Sequence, residues 1–266
     1  MTKYIRYAAT PTLVLFGIFF AMKGQYWMWV YQAIFTLIVI FGDLFLGDDR
    51  SQPEYAAPKL LNFFLYINLP LLFTILAISI WMAGSLPLPA WGASLMDARE
   101  ETTFIHLVGY VIVLGLMVAT AGTNVGHELT HRKRNRFDMF MGNWLLALTW
   151  DCSFAIEHVY GHHKYVATSI DPATAKRGQN PYNFILRAIF LNQRNAWIIE
   201  NSRLIKKGLR PLSIQHRMLI GSARSGILTG SASLLAGWTG VILFLLISIA
   251  VNVVLVGVIY FVLYGF

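Results

Sequence analysis

Six apolar runs constrain this chain more than any other feature: Ala8 to Met22, Met28 to Leu46, Leu60 to Met82, Phe104 to Ala121, Ser222 to Trp238 and Val241 to Tyr264. A helix needs about 20 mainly apolar residues to cross a bilayer, because every backbone N–H and C=O must find its partner inside the segment. Only 13% of the residues are charged and the mean hydropathy is +0.57, whereas a soluble domain carries about 25% charge. The expected fold class is therefore an all-α integral membrane protein, with six transmembrane helices and a cytoplasmic helical metal-binding portion. Residues 1–266 read as one membrane domain, without repeats or low-complexity tracts.

Met22 to Tyr26 and Gly237 to Gly240 are the expected tight turns, which makes hairpins of the first and last pairs of spans. Pro70 should kink the third span, since it has no N–H to donate. Of the 21 basic residues, 15 lie between Arg132 and Arg224. That bias places the N-terminus, the Gly47 to Lys59 loop, the long segment after the fourth span and the C-terminus in the cytoplasm. Ala83 to Thr103 becomes the outer loop. The net charge of +8 is explained by cations beside apolar runs, which meet anionic headgroups, so nucleic acid is not an expected partner. Lys3 and Arg6 precede an apolar run with no cleavage signal, which reads as a retained first span. Trp27 and Trp29 suit an interfacial aromatic belt, and Asn252 an interhelical hydrogen bond.

The chemistry is concentrated in histidine. Five of the seven histidines fall between positions 127 and 163, in His127-Glu128-Leu129-Thr130-His131 and Glu157-His158-Val159-Tyr160-Gly161-His162-His163. Neutral imidazole is a common metal ligand, so His127, His131, His158, His162 and His163 are the candidate ligands. On an α-helix, His127 and His131 share a face, as do His158 and His162, while His163 is rotated by about 100° and could face another ion. Glu128 and Glu157, each beside a ligand candidate, are the catalytic candidates as orienter or base; charge balance against Arg132, Lys133 and Arg134 is their alternative. Asp43, Asp48 and Asp49 end the second span at the same face, and Asp43 is a candidate supporting residue. His106 and His216 read as structural. The single cysteine, Cys152, reads as a small apolar residue and excludes both an internal disulfide and a thiolate metal cage.

His127 to His131 also matches H-E-x-x-H, in which two histidines hold zinc and a glutamate activates water for peptide hydrolysis. That reading leaves the second histidine cluster unexplained.

Taken together, His127 to Arg132 (HELTHR), Glu157 to His163 (EHVYGHH) and Val166 to Ala173 (VATSIDPA) resemble the successive motifs of the membrane-bound alkane 1-monooxygenases, within the fatty acid desaturase and hydroxylase superfamily. The resemblance implies a histidine-ligated, non-haem di-iron site that hydroxylates the terminal carbon of an alkane with dioxygen. It further implies Asp171 as a supporting residue, a rubredoxin-type electron donor, and a substrate that enters from the bilayer, with fatty acyl desaturation or hydroxylation as the alternative. Members of this family continue past the last span into further histidine motifs, which this sequence is expected to lack.

Overall fold

A computed structural model of the chain describes residues 2–46 and 57–263. Among the described residues all regular structure is helical. In chain order the helices are α1 (Thr2–Lys23), α2 (Trp27–Leu46), α3 (Pro58–Tyr66), α4 (Asn68–Met82), α5 (Ala93–Glu100), α6 (Phe104–Met117), α7 (Asn124–His131), α8 (Arg136–Ala147), α9 (Phe154–Glu157), α10 (His163–Tyr165), α11 (Pro181–Lys206) and α12 (Arg217–Leu263). Two π-helical segments, Val118–Thr123 and His158–His162, precede α7 and α10.

Among the described residues, three helices are long and apolar enough to cross a membrane: Pro58–Met82, Phe104–His131 and Arg217–Val262. Tyr7–Lys23 and Trp27–Gly42 are shorter apolar helices. The 46 residues of Arg217–Val262 would extend about 69 Å as one straight helix, twice what a bilayer needs. They do not run straight. Ala236 (φ −146°, ψ 21°) and Gly237 (φ 57°, ψ −144°) leave helical geometry, at the start of the turn expected from Gly237 to Gly240. The first expected turn is equally visible, with Gly24 and Gln25 at φ 66° and 47° between α1 and α2. The break in the third apolar run falls at Ile67, between α3 and α4, one turn before Pro70. Pro70 cannot donate to the Tyr66 carbonyl and its ring crowds that position. The Asn68 amide takes the neighbouring carbonyls of Phe64 and Leu65, at 2.6 and 3.3 Å. The expected outer loop is partly helical, since it contains α5.

The chain forms two compact units. The first comprises Met1–Met117 and Ala232–Phe244. Leu72 and Ile75 are fully buried in it, and the Tyr110 and Tyr31 hydroxyls donate to the carbonyls of Ala21 and Leu13, at 2.6 and 3.1 Å. Trp29 Nε1 donates to the Ile105 carbonyl.

The second unit comprises Val118–Ser231 and Leu245–Phe266. A helix end leaves its last carbonyls without intrahelical partners. Where α8 gives way to a turn, α12 supplies those partners: Ser225 Oγ donates to Ala147 O, Ser248 Oγ to Leu148 O and Asn252 Nδ2 to Thr149 O, at 2.9, 3.2 and 2.8 Å. Asn252 is thus the interhelical hydrogen-bonding residue expected of it. The α7–α8 pair is drawn close at Gly126 and Gly142. A Cβ on Gly142 would lie 3.0 Å from the Gly126 carbonyl oxygen and 3.0 Å from Thr130 Cγ2. Gly142→Val is expected to cost about 1–3 kcal/mol through overpacking, read as a lower thermal midpoint in detergent.

Candidate metal centre

α7 presents His127 and His131 one turn apart, their Nε2 atoms 2.6 Å from one another. Beyond α8 the backbone turns at Trp150 (φ 55°). Asp151 Oδ1 accepts the Phe154 N–H at 3.2 Å and starts α9. From α9 the chain enters the π-helical segment that carries the second cluster. Four imidazoles, His127, His131, His158 and His163, converge so that one nitrogen from each lies within 4.8 Å of the others.

The second cluster contributes His158 and His163 to this quartet. In this π-helical segment the His163 N–H reaches back five residues to the His158 carbonyl, and His163 joins His158 in the quartet. The His162 ring stacks on that of His158 at 5.1 Å and 23° but is not one of the four. Its Nδ1 meets Asp171 Oδ2 at 2.9 Å, and Asp171 also accepts from Thr174 Oγ1 (2.6 Å) and the Ala173 N–H (3.0 Å). Burial alone would raise the Asp171 carboxyl, but these donors hold it below the ordinary value. The same hydrogen bond raises His162. A carboxylate that fixes an imidazole in this way sets its tautomer and leaves the other nitrogen as a lone-pair donor.

The quartet fits a metal ion. Two nitrogens each about 2.1 Å from one ion stand about 3 Å apart at right angles, so the His127–His131 pair needs only a small opening. His158 Nε2 is buried without a hydrogen-bond partner. Burial, followed by the surrounding imidazoles, pushes His158 down to about 3, which keeps it in the neutral, ligating form. A buried nitrogen lone pair with no donor is costly unless something else takes it. Phe154 builds the wall, stacked on His158 at 4.6 Å and 9° and edge-on to His127 at 5.6 Å.

The two glutamates part company. Glu128 is exposed and accepts from Arg132 Nε and an Arg132 terminal nitrogen at 3.0 and 2.8 Å, the charge-balance arrangement. Glu157 is 3% exposed, and burial followed by the charge of Asp171 raises its carboxyl to about 7. Asp43 lies on α2 with its side chain outside the described residues, as do Asp48 and Asp49 entirely. His106 accepts the Thr103 N–H, and buried His216 bonds Asn201 and packs on Trp197, so neither joins the quartet. Cys152 is half-buried against Met218 and Ser222.

Residues 102–266, which contain the whole quartet, match the model of a family described as fatty acid desaturase. The chain belongs to the fatty acid desaturase family. Within that family it is 31% identical to alkane 1-monooxygenase 1 of Pseudomonas aeruginosa over 238 residues, covering 85% of this chain and 60% of that protein. It is 27% identical to alkane 1-monooxygenase 2 of Alcanivorax borkumensis, covering 90% and 61%. It is also 28% identical to the hydroxylase component of a xylene/toluene monooxygenase of Pseudomonas putida, covering 88% and 59%. The desaturase-family chain thus spans about 60% of the length of the curated relatives it matches.

The His162–Asp171 contact gives a direct test. Asp171→Asn is expected to weaken metal binding about 10–100-fold, measured by competition with a chelator.

Proposed function

We propose that this chain is the membrane-bound core of a monooxygenase that hydroxylates the terminal carbon of alkanes with dioxygen. The observation that carries this reading is the convergence of four imidazoles from two sequence stretches. Iron bound there supplies the redox chemistry that an unactivated C–H bond demands, which zinc lacks. An H-E-x-x-H zinc protease uses two of these histidines and a glutamate facing the ion. Here four histidines converge, and Glu128 is paired with Arg132.

The chain's own groups have distinct roles. His127, His131, His158 and His163 would hold one iron, with Phe154 packed against His158 and His127, and His162, oriented by Asp171, would serve a second iron of a di-iron centre. Glu157 is the acid or base beside that centre, and Glu128 steadies the exit of α7. The six passes come from α1, α2, the α3–α4 run, the Phe104–His131 helix and the two arms of α12. The positive charge between Arg132 and Arg224 supports a metal centre and termini on the cytoplasmic side of a bacterial inner membrane. Electrons arrive from a rubredoxin-type protein, whose acidic surface matches that basic face, and alkane enters from the bilayer.

Two measurements test the reading. The purified chain should contain iron and no stoichiometric zinc. With octane, dioxygen and reduced rubredoxin it should yield 1-octanol by gas chromatography. Fatty acyl desaturation is the second reading, favoured by the family description; a new double bond in an acyl chain, with no alcohol from octane, would establish it in place of the first.

A further inference from the structure

Behind the second histidine cluster, residues 157–172 and the second half of α11 enclose a cavity of about 570 Å³. Glu157 and Asp171 line it, 3% and 2% exposed. Asp171 is fully engaged with His162, Thr174 and Ala173. Glu157 is not. Its Oε1 is buried without a partner and lies over Gly161, where a Cβ would collide with it. A buried carboxyl oxygen in that position calls for a donor, and Glu157 is part of the cavity's lining.

The mouth has the opposite character. Lys164, Arg203 and Lys206 line it. Lys164 and Lys206 are exposed, and neither makes an ion pair among the described residues, Lys164 only lying over the Tyr165 ring at 4.9 Å. The nearby acids Glu157, Asp171 and Glu200 are all buried, so the charge that reaches solvent here is positive. Ile170 and Ile198 add exposed apolar surface to the same rim, 65% and 49% exposed.

We propose that this cavity binds a phosphate ester bearing a free hydroxyl, that is, glycerophosphate chemistry. The phosphate sits at the mouth among Lys164, Arg203 and Lys206, and the hydroxyl donates to Glu157 Oε1. A simple anion would be repelled by Glu157, and a simple cation by the rim. A molecule with its charge at one end and a neutral donor at the other satisfies both, and ammonium and guanidinium groups are strong phosphate binders. Such a group reaches the cavity from the bilayer as a phosphatidylglycerol headgroup, with the apolar rim against the acyl region, or from solution as glycerol 3-phosphate. The proposal does not depend on the oxygenase reading.

Native mass spectrometry of the detergent-solubilised chain with equimolar phosphatidylglycerol and phosphatidylcholine tests the lipid source. Calorimetric titration with glycerol 3-phosphate and with inorganic phosphate tests the soluble one. Phosphatidylglycerol is expected to be retained about tenfold over phosphatidylcholine. That preference should vanish in the Lys164→Gln/Lys206→Gln variant and survive in Lys176→Gln/Arg177→Gln, which removes equal charge elsewhere. Displacement of the lipid by glycerol 3-phosphate at similar affinity would assign the site to the soluble ester. Glu157→Gln should narrow the preference for glycerol 3-phosphate over inorganic phosphate. Inorganic phosphate binding to the unaltered chain as tightly as glycerol 3-phosphate would overturn the Glu157 contact. Failure of all three ligands to bind, or unchanged binding in the double lysine variant, would overturn the site.

Discussion

His158→Ala is expected to empty the quartet, with iron per purified chain falling by the whole equivalent that the quartet holds, read by elemental analysis. His158 is central to the cluster. Its ring centroid is 4.4 Å from that of His127 and 4.6 Å from that of His163, and its Nε2 is the buried atom without a partner. An alanine removes a ligand from the inside, where water cannot readily replace it, and leaves the stacked face of Phe154 exposed to the void. Iron that binds only the folded state also stabilises it by mass action, so the variant should lose the rise in thermal midpoint that added iron confers on the unaltered chain. His127→Ala, His131→Ala and His163→Ala should behave alike. His162→Ala should differ, retaining iron at the quartet with weaker affinity, because its imidazole faces Asp171. Full iron in His158→Ala would remove the quartet as a metal site.

That ordering was only half legible in the amino-acid sequence. The His127–His131 pair follows from α-helical spacing, and the structure keeps it because α7 is α-helical up to His131. The second cluster does not follow from that spacing, since its backbone takes a π-turn there. The local signal is Gly161, which alone leaves room for the Glu157 carboxylate across the turn. The turns at Gly24 and at Gly237 were visible because glycine tolerates positive φ. The break at Ile67 follows from Pro70 with a one-turn offset, since the lost donor acts on the carbonyl four residues earlier. Phe154, Gly126, Gly142 and Glu200 escaped notice because each matters through a partner distant in sequence. A lone phenylalanine in an apolar chain carries no signal until the imidazoles it stacks on are placed. Short helices such as α5 and α8 were equally hidden, the first inside an apparent loop and the second without the length of a span.

Glu200→Ala is expected to be the most destabilising change outside the metal site, on the order of 3 kcal/mol, the low end for breaking a buried ion pair, read as a fall in the thermal midpoint in detergent. Glu200 is completely buried in the middle of three positive or donating groups: Arg203, the Arg217 guanidinium and the Arg217 backbone N–H, the last at 2.8 Å. That last bond places a carboxylate at the N-terminus of α12, where the helix dipole favours it. The low end applies because Arg203 and Arg217 keep 25% and 34% of their side chains in solvent, so water recovers part of what they lose. Burial alone would raise the Glu200 carboxyl from its ordinary 4.5, but hydrogen bonds from the two arginines hold it down to about 2. A folded-state value below the unfolded one means that the unfolded chain takes up a proton first as pH falls. The contribution of Glu200 is therefore complete above pH 4.5 and disappears between 4.5 and 2. Glu200→Gln, which keeps the shape and removes the charge, should flatten the decline in stability over that interval, and an unaltered decline would show that the acid sensitivity arises elsewhere. The effect should also reach the histidine segment. Arg217 lies 5.3 Å from the Tyr160 ring, which Lys133 approaches to 4.3 Å, and Tyr160 sits between His158 and His162. Freed from Glu200, Arg217 no longer braces that ring, so Glu200→Ala should weaken iron binding as well as folding, whereas Gly142→Val acts through α7 alone.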